Sequence, residues 1–274
     1  MNIIKFLSKI PSYLSKIFEK LYLEKYSKTF SNYEDAKRFC DSISPNSYEN
    51  HDLNLFRYEK FIKNLDLVPI IYNNSHKLLL ETLLIYNKSE KTIPKILDVG
   101  GGFGENKIYL KHLLNEDLVY DIIESNKVVS LSKSKNLTHS KFFTDISFTT
   151  KNNKYDIIFS SGTIQYFEKP YEIIEEIFSS KTKFISFTRI NFSNNPKIYS
   201  QPTLIEYHGA REGSLDFKYQ KSKKIIIPNT QINENEMLKI SKKHNYKLLK
   251  KGRGIEGNVG EDSYALDLIF KLNK

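Results

Sequence analysis

The stretch "KILDVGGGFGENKIYL", Lys95–Leu110, sets four glycines within five positions directly behind an apolar run. It reads as a strand ending at Val99, a bare turn through Gly100, Gly101, Gly102 and Gly104, and a helix from about Asn106. Such a turn lets a ligand approach the backbone closely, because glycine has no Cβ to obstruct it. A dinucleotide fingerprint would run G-x-G-x-x-G and rest a pyrophosphate on the helix N-terminus. Here Asp98 precedes the first glycine by two residues, and no third glycine stands at that spacing. A carboxylate at that point repels a pyrophosphate and pairs with an ammonium group. A ligand with an amino-acid end and an adenosine end, S-adenosylmethionine, meets both conditions.

Outward from this turn, short apolar runs alternate with helical stretches, the pattern of βαβ units in a parallel sheet. Strands are expected at Lys95–Val99, Val119–Glu124, Phe142–Asp145, Tyr155–Ser160 and Phe184–Arg189, with helices at Asn106–Leu114, Lys127–Lys135 and Pro170–Phe178. Two last strands, Tyr246–Lys251 and Ala265–Leu272, are joined by a connection too short for a helical crossover, so they should form an antiparallel hairpin at the sheet edge. The expected fold is α/β: a Rossmann-like, seven-stranded, mostly parallel sheet with an antiparallel C-terminal hairpin and an N-terminal helical lid. Residues 31–93 read as that lid and 94–274 as the ligand-binding domain, with a substrate-pocket insert at about 196–230.

The strand ends supply the other candidate walls of the pocket. Glu124, on the second strand, is placed to accept ribose hydroxyls. Asp145 and Ile146, at the third, are placed to meet an adenine ring, with a helix N-cap as the alternative role of Asp145. Ser161 and Gly162, in "SSGTIQYFEKP", should line the methionine end. Gln165 and Tyr166 stand where an acceptor would be positioned, or else pack beneath the cofactor. Arg189 faces the same edge from the fifth strand, and His208 and Arg211 lie in the insert. His208 has the pKa range of a general base, and the arginines would suit a phosphate or carboxylate. In the lid, Arg57 and Tyr58, with His51, are weaker substrate-binding candidates. The histidines and carboxylates form no ligand-spaced cluster, so no metal is expected.

With those motifs in place, the chain resembles the class I S-adenosylmethionine-dependent methyltransferases. It is most similar to a bacterial methyltransferase family whose members tend to be encoded near surface-polysaccharide genes. The resemblance rests on "DVGGGFG", "DIIES", "SSGTIQYFEKP" and "FTRINF" in that order and runs from about Phe30 to near the end. It implies a cytoplasmic methyltransferase, with O-methylation of a sugar or phosphorylated precursor in capsule or lipopolysaccharide synthesis as the expected reaction; an NAD-dependent oxidoreductase and a non-catalytic cofactor-binding scaffold are the alternatives. Two departures stand out: "SNKVV" replaces a proline-bearing turn after Glu124, and Tyr199 to Asn229 matches poorly. No "PPY" follows the fourth strand, which argues against methylation of DNA bases or glutamine amides.

Composition sets the bounds. A chain of 274 residues, 39% hydrophobic, can bury one α/β core or a core with an appended lobe. The formal charge is +10, yet only five of the 42 basic residues are arginine and no basic run stands out, so the expected partner is a small anionic or sugar-linked molecule and not nucleic acid. The single cysteine, Cys40, reads as an inert core thiol in a reducing compartment. Residues 1–30 carry Ile3, Leu7, Ile10, Leu14, Ile17 and Leu21 at helical spacing around Pro11. That amphipathic helix, too charged to span a bilayer, is expected to pack on the domain; a membrane surface or a homodimer seam are its alternatives.

Overall fold

The computed structural model describes residues 21, 24–63, 65, 74–90, 92–204, 224–254, 260 and 262–273. The expected amphipathic helix falls almost wholly outside these residues, as do His208 and Arg211. In chain order the elements are β1 (Thr29–Phe30), α1 (Tyr33–Ile43), a 3-10 turn (Ser47–Glu49), α2 (His51–Lys63) and α3 (Asn74–Ser89). There follow β2 (Ile96–Val99), α4 (Glu105–Leu114), β3 (Tyr120–Ile123), α5 (Asn126–Ser134), β4 (Lys141–Phe143), α6 (Ile146–Asn152) and β5 (Ile157–Ser161). After a second 3-10 turn (Ile164–Tyr166) come α7 (Pro170–Ser179), β6 (Phe184–Thr188), β7 (Phe192–Ser193), β8 (Ile198–Leu204) and β9 (Lys224–Thr230). The chain closes with α8 (Glu234–Lys243), β10 (Tyr246–Arg253), β11 (Ser263–Tyr264) and β12 (Leu266–Leu272).

The main sheet has seven strands in the order β10-β12-β6-β5-β2-β3-β4. β2 to β6 pair in parallel, and β12 is antiparallel to both β6 and β10. This is the expected Rossmann-like arrangement, hairpin included. All five expected parallel strands lie within two residues of their expected bounds. The chain enters the sheet at its centre, in β2, builds outward to β4, then returns to β5 on the other side. The topological switch point, where open α/β sheets bind ligands beyond the carboxyl ends of the strands, is therefore the crevice between β2 and β5.

The central strands are apolar on both faces because helices cover both. Leu97, Val99, Ile158, Ile185, Phe187, Leu268 and Phe270 share one core cluster, and Ile96, Ile122, Ile157, Phe159, Phe184 and Ile269 share the other. Phe178 of α7 sits among three aromatic rings, those of Tyr246 and Phe270 at 5.1 Å and Phe187 at 5.9 Å. Phe178→Ala should cost about 3–5 kcal/mol, read from denaturant unfolding, since neighbours anchored in strands cannot collapse into the space.

A second, three-stranded antiparallel sheet, β1-β8-β9, was not expected from the sequence. Its strand β9 alternates in the way a strand between two layers must. Ile225 and Ile227 face Leu53, Phe56, Tyr48 and Tyr166, while Ile226 faces Cys40, Tyr26 and Phe39. Burial pushes the Cys40 thiol up to about 12, in keeping with an inert core residue. The helix α8 was also not expected, and α6 starts where Asp145 had a helix N-cap as its alternative role: Asp145 accepts from the Phe148 N–H at 2.6 Å, and Asn233 caps α8 by accepting from the Glu236 N–H at 3.2 Å.

Candidate functional site

The strand–turn–helix around the quoted stretch is folded by its own hydrogen bonds. Gly100, Gly102 and Gly104 have φ of +80°, +60° and +101°, a region costly for residues with a Cβ. The Gly100 N–H donates to Ile123 O at 2.8 Å, and the Gly104 N–H donates to Gly101 O at 3.1 Å. The Gly102 N–H donates to Glu124 Oε1 and the Phe103 N–H to Glu105 Oε2, both at 3.1 Å. These four amides are thus spent within the protein, two of them on carboxylates.

Asp98 lies wholly buried at the base of this turn. Its Oδ2 accepts from Tyr120 Oη at 2.7 Å and from Asn106 Nδ2 at 2.9 Å, while its Oδ1 has no partner. The backbone closes over it so tightly that a Cβ on Gly101 would sit 2.7 Å from the Asp98 Cγ. Desolvation pushes the carboxyl up to about 7, the Asn106 and Tyr120 bonds opposing the shift, and Glu105 and Glu124 adding to it. Glu105, at the first position of α4, is itself raised by burial. Sequence reading missed Glu105 as a site residue. Its signal is an acid at the start of a helix whose N-terminus would hold the phosphates of a dinucleotide.

Three carboxylates therefore ring the glycine turn, balanced by a single described guanidinium. Arg57 Nη2 of α2 donates to Glu124 Oε1 at 3.0 Å, with both side chains about nine-tenths covered. Tyr58 packs edge-on against Phe103 at 5.5 Å, and the Lys135 ammonium lies over the Tyr58 ring, 5.5 Å from its centroid. Both lid residues singled out for substrate binding thus sit beside the glycine turn and Glu124. Asp145 is exposed and caps α6, and Ile146 behind it is buried. Asp145 also borders a cavity of about 330 Å³ that runs along β4 between Asn126, Val129, Phe142 and Phe148.

Across the crevice, Ser161 ends β5 opposite Thr188 at the end of β6, and the N–H of the following Gly162 donates to Thr188 O at 3.0 Å. Gly162 and Arg189 are both left-handed, at φ +61° and +58°, and the Arg189 side chain runs past Gly162. Beyond the β2–β5 ladder and the Ser160 hydroxyl, which donates to Val99 O at 3.0 Å, the two banks approach closely at Gly100, where a Cβ would lie 1.9 Å from the Thr163 hydroxyl oxygen. Gln165 is buried, its Nε2 donating to Arg189 O at 3.2 Å and its Oε1 without a partner. Tyr166 donates through its hydroxyl to Gln201 Oε1 at 3.1 Å and packs against Tyr48 at 4.9 Å. Gln201 Oε1 also accepts from Asn229 Nδ2, and Asn229 Oδ1 from Asn191 Nδ2, each at 2.9 Å. A row of neutral amides thus ties Tyr166 to the small sheet. The structure also brings Asp267 to this edge, where it accepts from Thr188 Oγ1 at 2.5 Å and is raised by burial. Its place at the start of an antiparallel strand hid it from sequence reading.

No protein-family model matches the chain, and neither does any curated protein. Among solved structures it is similar to an S-adenosylmethionine-dependent methyltransferase from Clostridium acetobutylicum, at 15% identity over 79% of this chain and 99% of that one, with a TM-score of 0.48. It is also similar to the magnesium protoporphyrin IX methyltransferase of Synechocystis with S-adenosylmethionine bound, at 13% identity over 73% of this chain and 79% of that one (TM-score 0.44). A third is a glycopeptide N-methyltransferase, at 8% identity over 74% of this chain and 92% of that one (TM-score 0.47). At such identities and scores the site has to be read from its own geometry. Among the described residues no helix is long and apolar enough to cross a membrane, and no three potential ligands group to hold a metal.

Proposed function

We propose that this chain is an S-adenosylmethionine-dependent methyltransferase that methylates a hydroxyl of a sugar or phosphorylated small molecule, working in the cytoplasm. The observation that carries the cofactor reading is the ring of Asp98, Glu105 and Glu124 around a glycine turn whose amides at Gly100, Gly102, Phe103 and Gly104 are already bonded. Such a turn has little left to offer a pyrophosphate and a strong field for a cation. In this reading Asp98 faces the ammonium end, Gly100 to Gly104 give the ligand room, Glu124 takes ribose hydroxyls, Asp145 and Ile146 border the adenine, and Ser161 and Gly162 line the methionine end. The cofactor supplies an electrophilic methyl on a sulfonium. The protein's task is then to align the acceptor in line with it and to receive a proton.

For the acceptor, Gln165, Tyr166 and Arg189 form the wall nearest Gly162, with His208 and Arg211 proposed to complete it. His208 is the proposed base, and Arg211 and Arg189 the anion contacts. Surface-glycan synthesis as the setting rests on the family resemblance alone. The test is a screen of sugar nucleotides and phosphorylated sugars for S-adenosylhomocysteine release by the purified chain. Turnover of at least one hydroxyl acceptor, lost in Gln165, Arg189 or His208 variants, is the expected result. Turnover of none, with cofactor binding intact, would leave a cofactor-binding protein without this reaction.

A further inference from the structure

Glu124 is the residue through which the cofactor reading and the lid meet, and its carboxylate is nearly full. Two oxygens offer roughly four acceptor positions in all. Three donors already occupy them: the guanidinium of Arg57 at 3.0 Å and the Gly102 N–H at 3.1 Å on Oε1, and the Ser125 N–H at 2.8 Å on Oε2. The two amides belong to the loops that build the site and move only with them. Arg57 is different in kind, being the end of a long side chain on α2, 67 residues away in sequence, with its other nitrogen held by Asn54 Oδ1 at 3.1 Å. A ribose presenting two hydroxyl donors needs two positions and finds one.

We propose that Arg57 and the cofactor's ribose compete for Glu124, so that Arg57 sets cofactor affinity. This rests on the adenosyl-cofactor reading above. The lid is held at the same place by other contacts, which make the Arg57 pair its switchable member. Glu49 accepts from the first two amides of α5, Asn126 at 3.0 Å and Lys127 at 2.9 Å, and Phe61 and Tyr58 flank Phe103 in the glycine turn at 6.0 and 5.5 Å. Those contacts leave Glu124 alone, so the lid can keep its seat on the loop while Arg57 turns away.

Calorimetry with S-adenosylhomocysteine tests the competition directly. Arg57→Gln removes the cation and keeps much of the stem, and it should bind roughly 5- to 20-fold tighter than the wild type, the scale of one charge-assisted hydrogen bond no longer broken. The variant should melt at a lower temperature, because Glu124 loses its cation. Arg57→Lys, which keeps the charge without the planar fork, should fold as well as the wild type and bind with intermediate affinity. Equal or weaker binding in Arg57→Gln, or in Arg57→Lys if the first variant does not fold, overturns the proposal while leaving the cofactor reading in place. No binding by the wild type or either variant overturns both.

Discussion

Replacing Asp98 with asparagine is expected to make the protein more stable above pH 7 and a much poorer binder of S-adenosylhomocysteine. The stability half follows from linkage. The Asp98 carboxyl is raised to about 7, against an ordinary value of 3.8, so between those values the folded chain holds a proton that the unfolded chain has released. Where the native state binds more protons, stability falls as pH rises. The cost of the buried charge is therefore absent below about pH 4, grows through the window to pH 7 and is complete above it. Its ceiling is on the order of 4 kcal/mol, from about three pKa units at 1.36 kcal/mol each. Asparagine accepts from Tyr120 and Asn106 through its carbonyl and carries no charge to bury, so the gain should appear at pH 8 and vanish near pH 4 in denaturant titrations.

The binding half runs the other way. An ammonium facing Asp98 favours its ionised form, so the ligand draws a proton off the carboxyl when it binds near neutral pH. Wild-type affinity should fall as pH drops below about 7, and calorimetry in buffers of different ionisation enthalpy should show proton release. Asp98→Asn should bind roughly 10- to 100-fold more weakly, the scale of a charge lost close beneath a cation in a poorly solvated site, and should lose the pH dependence. A variant both less stable at pH 8 and unchanged in affinity would contradict each half.

Gly100→Ala is expected to damage the protein more than a methyl group at any other described glycine. Its φ of +80° is costly for alanine, and the new Cβ would lie 1.9 Å from Thr163 Oγ1 and 2.6 Å from Thr163 Cβ. Left-handed strain of about 1–2 kcal/mol and overpacking of about 1–3 kcal/mol together should remove several kcal/mol in urea unfolding. The crevice between β2 and β5 should widen in consequence, and ligand affinity should drop with stability. Thr163→Ala cannot rescue it, since the Cβ remains; Thr163→Gly should recover the overpacking part and leave the strain. A double-mutant cycle with a coupling near zero would mean that Gly100 and Thr163 do not meet.

The β2 to β6 core is legible in the sequence because buried parallel strands read as continuous apolar runs, and Asp98 stands out as the charge that interrupts one. Asp98, Gly100 to Gly104 and Glu124 converge on one turn because each ends or follows a strand of the same edge. What escapes a linear reading is what depends on distant pairing. β8 carries Pro202 and β9 carries Pro228, residues that demote a strand, yet each proline sits opposite a partner residue in a two-strand ladder whose outer neighbour β1 reaches only Tyr199 and Ile198. Nothing local to Arg57 points to Glu124, and nothing local to Asp267 points to Thr188. The helix α8 is a different case, since Asn233, the following glutamates Glu234 and Glu236, and Lys242 and Lys243 at its end spell its start and stop.

The measurement that bears most directly on the central claim is calorimetric titration of the wild-type chain, at pH 8, with S-adenosylhomocysteine and separately with NAD. A turn ringed by Asp98, Glu105 and Glu124 predicts saturable one-to-one binding of S-adenosylhomocysteine and none of NAD. Binding of NAD with no response to S-adenosylhomocysteine would contradict the account at its root.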